Sequence, residues 1–449
     1  NKVTLNNILN GLKKLLPDAI VTALNEFLEA PNLSVAQKLM EVLKHFEDQK
    51  VVFLFDNFET LMDESSEISD DDTEEILSAL LEAPHHGVKT IITTKKIPLS
   101  IVRQQPGRQM HIQLQDGLDK THSANLLRKM DESGKLGLNE ASEELLEAAF
   151  LQTNGNPRAL ETIYAILSAD INSTLESVLE TTKRATDKAE ANNEGQQGTT
   201  AEILADEAFN RLDKDSQRIM QALAIYEEPV TALAINYMLL PFDNGSDSTS
   251  TLEQLKAAQF IHEDEGIYTI NSEYSDYAMS RLNEGEPITA DDLENPPFTI
   301  KALCLLAAEY WKLVRPDEID WFQPGGLYIQ IQEISARTRA SDFFGAAIVT
   351  DLIFEYLMQF GEYGLIINLL TPIVDKLKGG DFNTIEMESY SHLGIAYKET
   401  NHYNEAIQYF DEAIALTGKD TDYLLTKYLE AKGDCLADVG KTSEGLQLY

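Results

Sequence analysis

The sequence predicts a multidomain chain in which an α/β module is followed by all-α domains that end in an α-solenoid. Three observations carry this expectation. Val51-Val52-Phe53-Leu54-Phe55 is an unbroken apolar run that meets Asp56, Asn57 and Glu59. A second run, Val88-Lys89-Thr90-Ile91-Ile92, meets Thr93, Thr94 and Lys95. Apolar runs without alternation fit strands covered on both faces, as in a parallel sheet, and the C-terminal ends of such strands are where open α/β sheets place ligands. Near the other end, Tyr390, Leu393, Gly394, Tyr397, Ala406, Phe410 and Ala413 follow a helix-hairpin repeat pattern.

Composition narrows the function classes. A chain of 449 residues is long enough for about three domains with sizeable cores. Its 43% apolar and 25% charged residues are those of a globular protein. No apolar run approaches the ~18 residues of a membrane span, so no membrane partner is expected. Lys and Arg total 36 against 75 Asp and Glu, a net charge of −39, which repels phosphate backbones and disfavours nucleic acid as a partner. Cys304 and Cys435 form neither a disulfide framework nor a zinc site, which suits a reducing, cytoplasmic location.

Along the chain, residues 4–28 carry a helical stripe interrupted at Pro17, and Ser34-Val35-Ala36-Gln37 has the form of a capping box before another helix. A Walker B strand has the form of the first run; its aspartate, here Asp56, would hold Mg²⁺ directly or through water, and Asn57 or Glu59 would help orient the attacking water. The alternative is a strand that ends in an ordinary acidic loop. Asp63 to Glu75 is rich in acids but lacks a glycine or regular ligand spacing, so it reads as a solvated loop rather than a calcium site. A helix over Ile76 to Leu81 then leads to the second strand. If that strand is parallel to the first, Thr93, Thr94 and Lys95 reach the γ-phosphate of a nucleotide; a strand with a polar exit explains the same residues. Ile112 and Leu114 predict another short strand, followed by Gln115-Asp116-Gly117-Leu118 and a helix containing Ala124, Leu126 and Leu127. In Thr153-Asn154-Gly155-Asn156-Pro157, glycine stops one helix and proline starts the next.

Lys183 to Thr200 is polar and reads as a flexible linker. Beyond it come three helical stripes and a strand, Ile267 to Ile270, after the Gly266 turn, which is a winged-helix arrangement. With fifteen acidic and five basic residues from Glu202 to Arg281, a structural role is favoured over DNA binding. Trp311 and Trp321 are expected to pack in cores.

Taken together, VVFLFDNFE as Walker B strand, IITTKK as sensor strand, LQDGL with its following helix, and GNPRAL resemble, in this order over about 110 residues, a STAND-type nucleotide-binding module of the NB-ARC family. These are signalling ATPases of apoptosis, plant immunity and bacterial regulation and defence. The resemblance implies a P-loop NTPase that uses ATP and ADP with Mg²⁺, and a bacterial NLR-like setting. Asp56 then touches the Mg²⁺ shell and Lys95 stands at the sensor arginine, without arginine's fork, a departure that bears on γ-phosphate sensing. Pro157, after Gly155, packs near the base. Asn271 stands where a family histidine touches the ADP β-phosphate, and its amide offers one neutral hydrogen bond in place of a charge. The phosphate-cradling GxxxxGK[ST] is absent from the sequence and is expected upstream of Asn1.

The implied domains are a partial ATPase core at 1–115, a helical ARC subdomain at 116–182, the linker at 183–200, a winged helix at 201–285, a helical connector at 286–339 and tetratricopeptide-like repeats at 340–449. Gly433, Leu436, Gly445 and Tyr449 repeat the register about 39 residues after Gly394, and further repeats are expected to follow. The expected function is a nucleotide-dependent switch. A protein trigger binds the repeats, on a wall including Glu388, Ser391 and Lys398, and the module then forms a homo-oligomer and activates an upstream effector domain. A tetratricopeptide scaffold or transcription regulator with a structural ATPase remnant is the alternative.

Overall fold

The computed structural model describes residues 5–28, 33–47, 49–63, 65–84, 86–114, 117–170, 172–191, 200–243, 248–316, 326–378, 383–417 and 422–448. Trp321 and Tyr449 lie outside them. Among the described residues the chain is mostly helical with few strands, and no helix is long and apolar enough to cross a membrane. Its contacts divide it into Asn1–Gln115 and Asp116–Tyr449.

The first unit starts with α1 (Leu5–Lys13) and α2 (Asp18–Leu28), separated at Pro17. α3 (Val35–Leu43) begins at the expected capping box, with Gln37 N donating to Ser34 Oγ and Ser34 N to Gln37 Oε1. β1 (Val51–Phe55) leads through α4 (Asp71–Glu82) to β2 (Val88–Ile92), and a short α5 (Leu99–Val102) follows. The strands are parallel, with Val51 opposite Val88 and Phe55 opposite Ile92, as the crossover helix between them requires. Leu39, Val42, Phe46, Ile76 and Leu77 form the core, against which Val51, Phe53 and Phe55 pack.

Two expectations are corrected here. The strands are not covered on both faces: Val52, Leu54 and Ile91 are 59%, 64% and 53% exposed, because among the described residues helices pack on one face only. An apolar run shows that a strand suits burial on both sides; it does not supply the second layer. Likewise Ile112 and Leu114 form no strand. They are 69% and 89% exposed, outside any helix or strand and without a ladder partner, and alternation without a neighbouring edge gives a strand nothing to pair with. In the acidic stretch, Asp70 caps α4 through Thr73 N at 3.0 Å, and Asp63 accepts from Ser65 N and Glu67 N. The carboxylates there serve turns and a helix start.

The second unit opens with a bundle of α6 (Lys120–Met130), α7 (Glu143–Thr153), α8 (Pro157–Ala169), α9 (Leu175–Ala191) and α10 (Thr200–Arg211). The flexible linker expected from Lys183 is corrected over its first half, since α9 runs on to Ala191. Leu175, Val178, Leu179 and Thr182 are buried and anchor it, and the alanine, glutamate and lysine beyond them are good helix formers. Polarity there marks a solvated helix face. Residues 192–199 of that stretch lie outside the described chain.

Next come α11 (Lys214–Tyr226), β3 (Val230–Thr231), α12 (Ala232–Asp243), α13 (Thr249–Ala257), β4 (Ile261–Asp264) and β5 (Ile267–Ile270), with sheet order β3-β5-β4. This is the element order expected of a winged helix. Glu265 and Gly266, at φ 50° and 82°, make the tight turn between β4 and β5 that positive φ at both central residues produces. α14 (Ser272–Ser280) then returns to the bundle, where Tyr274 Oη donates to Thr162 Oγ1 at 3.3 Å.

Among the described residues four helix hairpins follow: α15 (Ile300–Val314) with α16 (Tyr328–Arg339), α17 (Phe343–Gln359) with α18 (Tyr363–Val374), α19 (Asn383–Glu399) with α20 (Tyr403–Leu416), and α21 (Asp422–Asp438) with the short α22 (Thr442–Gly445). The repeat register has a direct physical cause. A Cβ on Gly394 would lie 2.7 Å from the Phe410 ring, and one on Gly445 2.7 Å from the Gly433 carbonyl, so small residues let paired helices approach. Of the wall residues named from spacing, Ser391 is buried and Lys398 Nζ pairs with Asp434 at 2.6 Å. Helical spacing places residues on a face, but it does not show how far adjacent helices overlap that face.

α16 joins two cores. Ala336 belongs with the winged element and α15, whereas Leu327 and Ile334 belong with the repeats. Trp311 packs edge-on against Tyr226, with centroids 5.8 Å apart, and Arg339 reaches the Ile225 carbonyl at 2.7 Å.

Candidate functional site

In the first unit the polar side chains collect where β1 and β2 end. The ladder continues one step beyond the strands: Thr93 N donates to Phe55 O at 2.9 Å and Phe58 N to Thr93 O at 3.0 Å. This brings Thr93 beside Asp56, whose Oδ1 accepts from the Thr93 hydroxyl. The same Oγ1 accepts from Asn57 N at 3.2 Å. Asn57 sits at φ 52°, a left-handed conformation asparagine tolerates, and this turns the chain into the Phe58–Leu61 turn.

That turn delivers Glu59 to the next position along β2. Lys95 N donates to Glu59 Oε2 at 3.2 Å and the Lys95 ammonium lies 3.7 Å from Oε1. Glu59's own backbone N–H, ahead of the Lys95 N–H and charge, holds its carboxyl below the ordinary range. Thr94 behaves differently: its hydroxyl donates to Lys96 O at 2.7 Å in a local turn. Asp56, Asn57, Glu59, Thr93 and Lys95 thus form one cluster, and Thr94 serves its own loop.

Gly155, Pro157 and Asn271 belong to the second unit. Asn154 and Gly155 are both left-handed, at φ 50° and 66°. Asn156 then caps α8, accepting from Arg158 N and Ala159 N, with Pro157 in the first turn. Leu118 N donates to Gly155 O at 2.7 Å. A Cβ on Gly155 would lie 1.9 Å from the Leu118 carbonyl oxygen, and one on Gly117 2.2 Å from the Asn154 carbonyl. Sequence reasoning assigned no role to Gly117. Its signal was a glycine two residues ahead of Asp119, which caps α6 by accepting from His122 N, and its function is to let two backbones touch. Asn271 caps α14 by position, and its Nδ2 donates to Gln259 O at 2.7 Å, so one of its two amide N–H groups serves the wing.

No protein-family model and no curated protein matches the chain. A solved structure does: a signal transduction ATPase with numerous domains (STAND) protein with a tetratricopeptide repeat sensor, from Pyrococcus horikoshii, superposes with a TM-score of 0.55. The fold is STAND-like with tetratricopeptide-like repeats. The match covers 92% of this chain and 50% of that one at 12% identity, so this chain spans half the length of the structure it resembles, and the likeness is one of fold alone.

Proposed function

We propose that this chain is part of a nucleotide-dependent signalling switch of the NB-ARC type. A protein trigger binds the repeats, and the edge formed by Asp56, Thr93 and Lys95 distinguishes ATP from ADP. Nucleotide state then controls assembly into a homo-oligomer and activation of an upstream effector domain, in a bacterial immune or antiphage setting. The observation that carries this reading is the Asp56–Thr93 hydrogen bond at the C-terminal ends of two parallel strands, in a chain whose fold is similar to that of a STAND protein.

The residues fit a magnesium nucleotide. Mg²⁺ takes one or two carboxylates and completes its octahedron with water and phosphate oxygens. Asp56 offers one such carboxylate, oriented by the Thr93 hydroxyl. When bound, Mg²⁺ neutralises charge on the β- and γ-phosphates. Asn57 shares the Thr93 hydroxyl with Asp56, and Glu59, which steadies Lys95, lies in the following turn; either would orient an attacking water.

Two measurements test this. In the protein carrying its upstream sequence, Asp56→Ala is expected to lower ATP hydrolysis about a hundredfold with the circular dichroism spectrum unchanged. Hydrolysis at the wild-type rate would refute the Walker B assignment. Residues 1–449 alone contain no GxxxxGK[ST] loop, and so lack the backbone N–H groups and lysine that supply most phosphate affinity. Calorimetry with ATP and Mg²⁺ is expected to show binding weaker than about 1 μM; tighter binding would mean that another segment forms the cradle.

A further inference from the structure

The wall formed by α17 and α19 combines apolar and acidic side chains in a way that specifies what it can dock. On α17, Ile348 and Leu352 are 43% and 50% exposed, one helical turn apart, and Asp351 and Glu355 share their face. On α19, Glu388 and His392 are also one turn apart. His392 stacks on Phe354 at 3.5 Å between centroids and its Nε2 lies 3.6 Å from Asp351 Oδ1, which ties the two helices into one surface.

Lys427 acts on His392 through space, but among the described residues the wall carboxylates have no cation salt-bridged to them. Burial pushes the His392 imidazole down to about 3, so it is uncharged at neutral pH. Burial first, then Glu355, raises Asp351, and burial first, then Asp351, raises Glu388. Among the described residues no lysine or arginine forms a salt bridge with Asp351, Glu355 or Glu388. Residues 340–449 hold eighteen acidic and seven basic side chains, so a second copy of this chain is poorly matched in charge.

We propose that the α17–α19 wall docks a protein segment in which an arginine or lysine side chain lies beside a large apolar one. The apolar group covers Ile348 and Leu352, and the cation sits between Asp351 and Glu388, where it relieves their mutual repulsion. This rests on the reading of the repeats as the trigger-sensing part and names the chemistry of what they sense.

The test uses residues 1–449 and a short amphipathic peptide of leucine, alanine and arginine carrying a benzophenone crosslinker, with a glutamate-for-arginine peptide as its counterpart. At physiological ionic strength the arginine peptide is expected to bind and crosslink to α17 or α19, and the glutamate peptide to do neither. Asp351→Lys with Glu388→Lys should weaken binding about tenfold or more, whereas Glu132→Lys with Glu140→Lys, the same charge change on exposed positions, should alter it less than about twofold. Leu352→Ser keeps every charge and should weaken binding about threefold. Equal losses in the wall and control variants, no binding, or crosslinks between two copies without peptide would overturn the proposal. Crosslinks elsewhere in 340–449 would overturn the wall yet leave the repeats as sensor, whereas crosslinks confined to residues before 340 would count against both.

Discussion

Gly155→Ala is expected to destabilise the Asp116–Tyr449 unit by about 3 kcal/mol or more, the sum of a left-handed backbone conformation and a collision with main chain. The conformational part is modest, about 1 kcal/mol. The collision dominates, because the added Cβ would stand 1.9 Å from the Leu118 carbonyl oxygen, and Leu118 is tied to Gly155 through its own N–H at 2.7 Å. Relief requires the start of α8 to leave the Gly117–Leu118 segment, and α8 carries Leu160, Ile163 and Ile166 at the centre of the core. Gly137→Ala is the control. Gly137 also has positive φ, at 73°, but nothing lies within 4 Å of the new atom, so only the conformational cost of about 1 kcal/mol is expected. Thermal unfolding followed by circular dichroism separates the two, and equal shifts would show that the close approach is not what Gly155 provides.

The second large effect is expected at Arg337. This guanidinium is 8% exposed and joins three carboxylates: Glu309 at 2.9 Å and Glu333 at 3.0 Å, with Asp342 at 2.5 Å. Glu333 is 1% exposed and also meets Arg315 at 2.8 Å. Removing the central cation by Arg337→Met leaves Glu333 with Arg315, Glu309 with Lys312 at 3.4 Å and Asp342 without its arginine, in a poorly hydrated place, and is expected to cost about 3–4 kcal/mol. Asp342 retains its bond from Gly345 N, which caps α17, so helix capping survives the change. Adding Glu333→Leu removes the most deeply buried of the three carboxylates, and because the side chain of Arg315 is 23% exposed it can turn to water. The double variant is therefore expected to recover a large part of the loss, a coupling that a double-mutant cycle measures. Urea unfolding with Trp311 fluorescence is a suitable readout, since Trp311 lies within 6.0 Å, centroid to centroid, of Tyr226, Tyr310 and Tyr328. Independent, additive losses would show that the charges are not acting as one network.

The arrangement bears on the proposed switch. α16 contributes to the core of the winged element and to that of the repeats, Arg339 contacts Ile225 and Glu227 at the end of α11, and Arg337 ties α15 and α16 to the start of α17. α16 is therefore packed and charge-paired to both the winged element and the repeats.

Local chemistry in the sequence determined the elements whose causes are themselves local. Pro17 divides two helices, Ser34 and Gln37 close a capping box, Gly266 turns a hairpin, and the apolar runs at Val51 and Val88 become parallel strands that bring Asp56 and Thr93 to one edge. The spacing of Gly394 and Phe410 likewise determined a repeat, because the pattern records a contact that recurs at fixed separation. Only the tertiary structure decided which face of β1 is covered, that Ile112 and Leu114 lack a strand partner, and that the polar stretch after Lys183 continues a helix. It also decided that the Asn271 amide serves Gln259, that Gly155 meets Gly117 and Leu118, that Lys398 is paired with Asp434 while Asp351 lies against His392, and that Arg337 gathers acids from two helices and a cap. Periodicity and propensity act over one or two turns of chain, whereas coverage, close backbone approach and charge pairing depend on residues distant in sequence whose proximity is created by packing.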